Sequence, residues 1–116
     1  MAPDVAESLH YYVPRSSMTS VNDPGLLILT SLSSGPKHGH ALLLDIDAFA
    51  GVRLGPGTLY GAITRLEERG LIEPMDADDR RRPYRLTAAG TTALADSLTG
   101  LRRIVDAGTT RLAAAT

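Results

Sequence analysis

The sequence predicts a mainly α fold carrying one small β-hairpin, and three observations point to it. Apolar residues recur at helical spacing in separate stretches between positions 24 and 114. Helix start and stop residues bracket those stretches: proline opens two of them at Pro24 and Pro56, and Gly35, Gly51 and Gly70 follow their ends. Between the last two helical stretches, short extended runs at 71–75 and 83–87 flank a charged connection at 76–82.

Taken in order, residues 1–22 hold Pro3, Pro14 and a Ser/Thr cluster without helical or strand periodicity, so a flexible N-terminal arm is expected there. Asp23 can cap the first free amides of a helix in which Pro24 sits where a proline wastes no donor. Leu26, Leu27, Ile28, Leu29 and Leu32 make that helix apolar on every side, which predicts burial all round. A second helix is expected from about Lys37 to Phe49, with Leu42, Leu43, Ile46, Phe49 and Ala50 inward, Asp45 and Asp47 toward solvent, and Gly51 as its stop. The third starts at Pro56 and runs to about Arg69. Leu59, Ile63 and Leu66 form its inner side. In the hairpin, Pro74 confines the first run to an edge position. Thr87 then caps a long helix from Ala88 to about Ala114, some ~40 Å at 1.5 Å per residue.

Two helices, a short turn, a third helix and a hairpin are the order of a winged helix-turn-helix, a known way to present one helix to the major groove. The expected organisation is therefore an arm at 1–22, a winged helix-turn-helix DNA-binding domain at 23–87 and a C-terminal dimerisation helix at 88–116.

Composition narrows the function. A length of 116 residues suits one domain with a core of its own. With 43% hydrophobic and 22% charged residues the chain is ordinary for a folded soluble protein. The absence of cysteine excludes a disulfide scaffold and thiolate zinc sites, and suits a reducing compartment. No apolar run approaches the ~20 residues of a bilayer span, so a cytoplasmic protein with no membrane partner is expected. Twelve Lys+Arg against 13 Asp+Glu give a net charge of −1, so any attraction to nucleic acid must be local.

The third helix and the hairpin supply local candidates. With Leu59, Ile63 and Leu66 inward, Thr58, Ala62 and Arg65 share another face beside Gly61. That face is small, polar and basic, as a helix lying against base edges requires. Tyr60 can donate its hydroxyl to a phosphate. At the hairpin, Arg80, Arg81 and Arg82 follow Asp76, Asp78 and Asp79, so acids come first and arginines return after them. Arginine suits phosphates by its permanent charge and forked donors, and suits a narrow minor groove by the potential there.

Gly-Pro-x-His-Gly at 35–39, Pro-Gly-Thr-Leu-Tyr at 56–60, Arg-Leu-Glu-x-x-Gly-Leu-Ile at 65–72 and Tyr-Arg-Leu-Thr-x-x-Gly at 84–90 follow one another along the chain. These four motifs, in this order, resemble the PadR-like family of transcriptional regulators. The resemblance spans roughly residues 26–90. It implies a homodimeric winged-helix repressor, often autoregulatory, whose third helix, with Thr58, Tyr60 and Arg65, and whose wing, with Arg80, Arg81 and Arg82, meet double-stranded DNA. It also implies that some members bind flat, apolar effectors between subunits. Three positions depart from the family pattern: Gly55 for a capping Ser, His40 for an aromatic residue, and Gly61 for Pro or Ala. The glycines loosen the start of the third helix, at up to ~1 kcal/mol within its interior.

Along the last helix Leu94, Leu98, Leu101, Val105, Gly108 and Leu112 follow alternating spacings of four and three, a heptad seam that predicts a homodimer. No enzymatic constellation is legible. His38 and His40 do not share a helix face, nor do Asp45 and Asp47, so no metal site is expected and His38 reads as a cap or packing residue. No phosphate-cradling glycine motif occurs and no cofactor is implied. The favoured reading is a sequence-specific DNA-binding regulator that is not an enzyme. Two alternatives stand beside it. One is a winged-helix module that binds protein without DNA. The other is an effector-sensing regulator with an apolar small-molecule site at the dimer interface.

Overall fold

The computed structural model describes residues 21–76 and 82–115. Asp23 accepts a hydrogen bond from the Leu26 amide at 2.9 Å and Pro24 occupies the first helical position, so α1 (Pro24–Leu32) begins where its sequence predicts. Leu26, Leu27, Ile28, Leu29, Ser31 and Leu32 are all buried. The surrounding elements are α2 (Gly39–Ala50), α3 (Pro56–Glu68), β1 (Ile72–Pro74), β2 (Tyr84–Leu86) and α4 (Ala88–Ala115). α1 packs against α2, α3, β2 and α4, which accounts for its lack of a polar side.

One polar group lies in that core, and it is satisfied. The Ser31 hydroxyl donates to Asp45 Oδ2 at 2.6 Å, while Lys37 Nζ donates to the Ser31 carbonyl at 2.5 Å and to Ser34 Oγ at 2.7 Å. Asp45 therefore faces inward to this clasp, not outward as its place in the sequence suggests. Lys37, expected to open α2, is instead extended: its backbone exchanges two hydrogen bonds with Tyr84, at 3.2 and 2.9 Å. The helix starts two residues later, where His38 caps it by accepting from the Ala41 amide at 3.4 Å. Leu42 and Ile46 fill the inner face, but Phe49 and Ala50 are exposed. Leu43 of this helix and Val52 and Leu54 of the following loop pack on the core.

Gly51 and Gly70 adopt left-handed φ values of 68° and 74°, which lets the chain turn sharply after α2 and α3. β1 pairs antiparallel with β2 in the register Ile72↔Leu86, Glu73↔Arg85 and Pro74↔Tyr84. Among the described residues β1 pairs with no other strand, so Pro74 sits on an edge. β2 lies between β1 and the Lys37 bridge.

The junction into α4 is tight. Thr87 Oγ1 accepts from the Gly90 amide at 3.0 Å and donates to the Gly70 carbonyl at 2.6 Å, and its amide donates to the Leu71 carbonyl at 3.1 Å. Any side chain at Gly90 would overlap the Leu71 carbonyl oxygen. Leu94, predicted to begin the dimer seam, is only 6% exposed and belongs to this chain's own core. The reason is position: it stands one turn past Gly90, where α4 still rests on α1 and the hairpin. Leu101 is half-buried against the same core, whereas Leu98, Val105 and Leu112 are exposed. α4 runs unbroken through Gly100 and Gly108. No described helix is long and apolar enough to cross a membrane.

The close approach at Gly90 yields a direct test. Gly90→Ala should lower unfolding stability by about 1–3 kcal/mol, the range for an overpacked site, and shift the urea midpoint accordingly. A midpoint equal to that of the unaltered chain would contradict this packing.

Candidate nucleic-acid interface

α3 buries Leu59, Ala62, Ile63 and Leu66, a stripe at spacings of three, one and three. Ala62, expected among the outward residues, is 2% exposed and lies in the core, so its side chain is unavailable to any ligand. On the helix wheel it stands beside Leu66, at the edge of the buried stripe, and its methyl gives no polar cue either way. Thr58 and Arg65 are exposed as expected. Opposite the buried stripe runs the row Gly57, Gly61, Thr64 and Glu68, which includes Thr64, a residue the sequence reading did not single out. Its signal was available: it stands five residues past Leu59 and two before Leu66, far from both around the helix.

Arg65 leans back over Gly61. A Cβ built on Gly61 would stand 3.5 Å from Arg65 Nη1, ordinary contact distance. Helical side chains tilt toward the N-terminus, and here the tilt carries the guanidinium toward the first turns of α3. Among the described residues Arg65 makes no salt bridge, so neither Glu67 nor Glu68 neutralises it directly. Gly55, at the start of α3, gives no side-chain cap, as the departure from Ser implies.

The opposite flank of α3 meets the wing. Tyr60 is half-exposed, and its ring rests on Gly39: any Cβ at Gly39 would collide with the phenol. Burial raises the Tyr84 hydroxyl pKa, and the Glu67 carboxylate and Tyr60 raise it further, against a lowering by Arg82. Tyr84, on the return strand of the wing, thus feels Glu67 and Tyr60 of α3 as well as Arg82. Arg82 is exposed. Arg85 is not free, because its Nε lies 2.7 Å from Glu73 Oε2 across the hairpin. Arg80 and Arg81 lie outside the described residues. Among the described residues no group of three His, Asp or Glu could hold a metal ion.

A helix-turn-helix with an outward third helix and an adjoining two-stranded wing is the architecture of DNA-binding transcriptional regulators. Residues 28–96 match the transcriptional regulator PadR-like family, and the chain belongs to that family, one of regulators and not of enzymes. It is 38% identical over 82 residues to a transcriptional regulator of Mycobacterium tuberculosis, covering 68% of this chain and 76% of that protein. It is 47% identical over 73 residues to an uncharacterised 37.1 kDa protein of transposon Tn4556 in Streptomyces fradiae. That match covers 63% of this chain but 21% of the relative, so the chain spans about a fifth of that protein's length. Its fold is similar to that of a PadR family transcription regulator from Clostridium difficile. There the TM-score is 0.69 at 23% identity, over 77% of this chain and 97% of that one.

The seat of Tyr60 can be tested by a double-mutant cycle. Gly39→Ala should displace the ring and cost about 1–2 kcal/mol of stability, and most of that cost should vanish in the Tyr60→Ala background. Equal costs in the two backgrounds would show that the two residues are not coupled.

Proposed function

We propose that this chain is a homodimeric transcriptional repressor that binds a pseudo-palindromic site in double-stranded DNA. The carrying observation is the outward side of α3, slim along Gly57 and Gly61, polar at Thr58 and Thr64, and cationic at Arg65. A helix without bulk on that side can lie deep in a major groove, where Arg65 can donate two hydrogen bonds to guanine O6 and N7. Tyr60 and Arg82, on the wing flank, are suited to phosphates, with Arg80 and Arg81 extending that edge. Repression follows where such a site overlaps a promoter, and a protein acting on DNA works in the cytoplasm of a bacterial cell.

The exposed part of α4 supports the dimer. Leu98, Val105 and Leu112 continue the heptad seam beyond the core, with Val105 60% and Leu112 71% exposed. Ile104, outside the predicted seam, is also exposed and widens the apolar face. An apolar row of this length on a projecting helix matches a second copy of itself. Two copies paired this way would hold two α3 helices for successive major grooves, about 34–36 Å apart.

Selection of bound fragments from a random DNA pool tests the reading. It should return two half-sites in inverted repeat, one helical turn or a multiple of it apart. Arg65→Ala should weaken binding to the selected site by at least about fivefold, the lower worth of a guanine contact, with helix content and dimer mass unchanged. Undiminished binding would remove Arg65 from the recognition surface. Val105→Asp should shift the sedimenting species toward monomer and abolish tight binding to the full site. A dimer that survives this charge would place the interface elsewhere.

A further inference from the structure

The row opposite the buried stripe of α3 contains one side chain able to read a base edge without charge. Thr64 Oγ1 donates to the Tyr60 carbonyl at 3.0 Å, one turn back along its own helix. The hydroxyl proton is thereby committed to the backbone, so Thr64 offers a base edge its methyl group and an acceptor, and no donor. Guanine, which shows two acceptors in the major groove, gains nothing from such a group, whereas the C5-methyl of thymine packs well on a threonine methyl. Reach is supplied by the neighbours. Gly57 and Gly61, in the same row toward the N-terminus, have no side chain to hold the helix off the groove floor. Within its row, no side chain on the N-terminal side of Thr64 is longer than its own. Glu68 closes the row at the other end, and its carboxylate keeps the C-terminal turn away from phosphates.

We propose that Thr64 is a specificity-determining residue that selects a thymine in each half-site through methyl–methyl contact. This rests on α3 being the recognition helix. Its test therefore separates failure of that assignment from failure of the Thr64 role.

The experiment uses the full chain and the DNA site that it selects from a random pool. Each thymine of the half-site is replaced in turn by uracil, which removes the C5-methyl and leaves every hydrogen-bonding group in place. One uracil position should weaken binding on the order of fourfold, the worth of one buried methyl. Thr64→Ser, which keeps the hydroxyl and loses the methyl, should weaken binding to the thymine site similarly and should no longer distinguish uracil at that position. Thr64→Val, which keeps a methyl, should retain the distinction. Tight binding with no uracil-sensitive position, or equal uracil sensitivity in Thr64→Ser and the unaltered chain, overturns the Thr64 role alone. Failure to select any DNA overturns the recognition-helix assignment together with it.

Discussion

Burial of α1 on every side is the constraint on which the rest of the molecule depends. A nine-residue helix with Leu26, Leu27, Ile28, Leu29 and Leu32 has no face to give to water, so it must be enclosed. Enclosure takes α2, α3, β2 and α4 together. Each of those elements presents its apolar side to α1 and is thereby fixed in rotation. For α3 the consequence is functional: once Leu59, Ala62, Ile63 and Leu66 are inward, Gly57, Gly61 and Thr64 have no choice but to face out. The recognition surface is thus the complement of the packing surface. Ser31 adds direction to this otherwise non-directional core. Its hydroxyl to Asp45 and its carbonyl to Lys37 tie α1 to α2 and, through the Lys37 backbone, to β2. A buried hydroxyl left unpaired would cost about 1–3 kcal/mol, so this clasp favours one alignment of α1 over rotated ones.

Glycines serve the same end by removing side chains where elements meet. Gly90 lets the first turn of α4 lie against the Leu71 carbonyl, and Gly39 makes the seat of Tyr60. These are contacts between distant parts of the sequence, and they link motifs that look independent when read along the chain. The Gly-Pro-x-His-Gly segment and the Pro-Gly-Thr-Leu-Tyr segment meet as Gly39 against Tyr60. The Tyr-Arg-Leu-Thr-x-x-Gly segment meets the end of the third motif as Gly90 against Leu71. Hydrogen bonds finish the second junction, since Thr87 caps α4 and holds the Gly70 carbonyl with the same hydroxyl.

What was legible in the sequence follows the range of the physical signal. Periodicity and capping are local, so the element order, the edge position of β1, the Asp23 and Thr87 caps and the stops at Gly51 and Gly70 could all be read along the chain. Long-range choices could not. Lys37 pairs with Tyr84 through a single bridge, too short for any period, and in doing so it delays the start of α2 by two residues. Ala62 carries no polarity and stands at the edge of the apolar stripe, so its burial in the packed core is what shows that it faces inward. The heptad of α4 is continuous from Leu94 onward, yet a regular seam does not mark where its partner changes from the chain's own core to something outside. Burial draws that line after Leu94, with Leu101 still touching the core at the boundary. Of the proposed contact surface, Arg65, Thr58 and Tyr60 are visible as polar residues on a helix, and Thr64 is legible too from its spacing to Leu59 and Leu66, although the outward row expected from the sequence runs through Ala62 instead.

The distribution of charge bears on how such a surface can discriminate. A net charge of −1 gives little long-range pull toward a polyanion. The described structure reduces the cationic area further, because Arg85 is held by Glu73 and Arg53 lies 3.5 Å from Asp47. Glu67 and Glu68 place two carboxylates at the C-terminal end of α3. Opposite them, Arg65 bends back over Gly61 toward the start of the helix. Arg65 itself stands in the last turn of α3, two and three residues before those carboxylates, so the charge on this helix is mixed and its pull on a phosphate backbone is small. Affinity that comes from counterion release is indifferent to sequence. When that part is small, binding depends on close contact between a slim helix face and the base edges. A surface with Gly57, Gly61 and Thr64 at its centre makes such contact only on DNA whose groove it fits, which favours discrimination over strength.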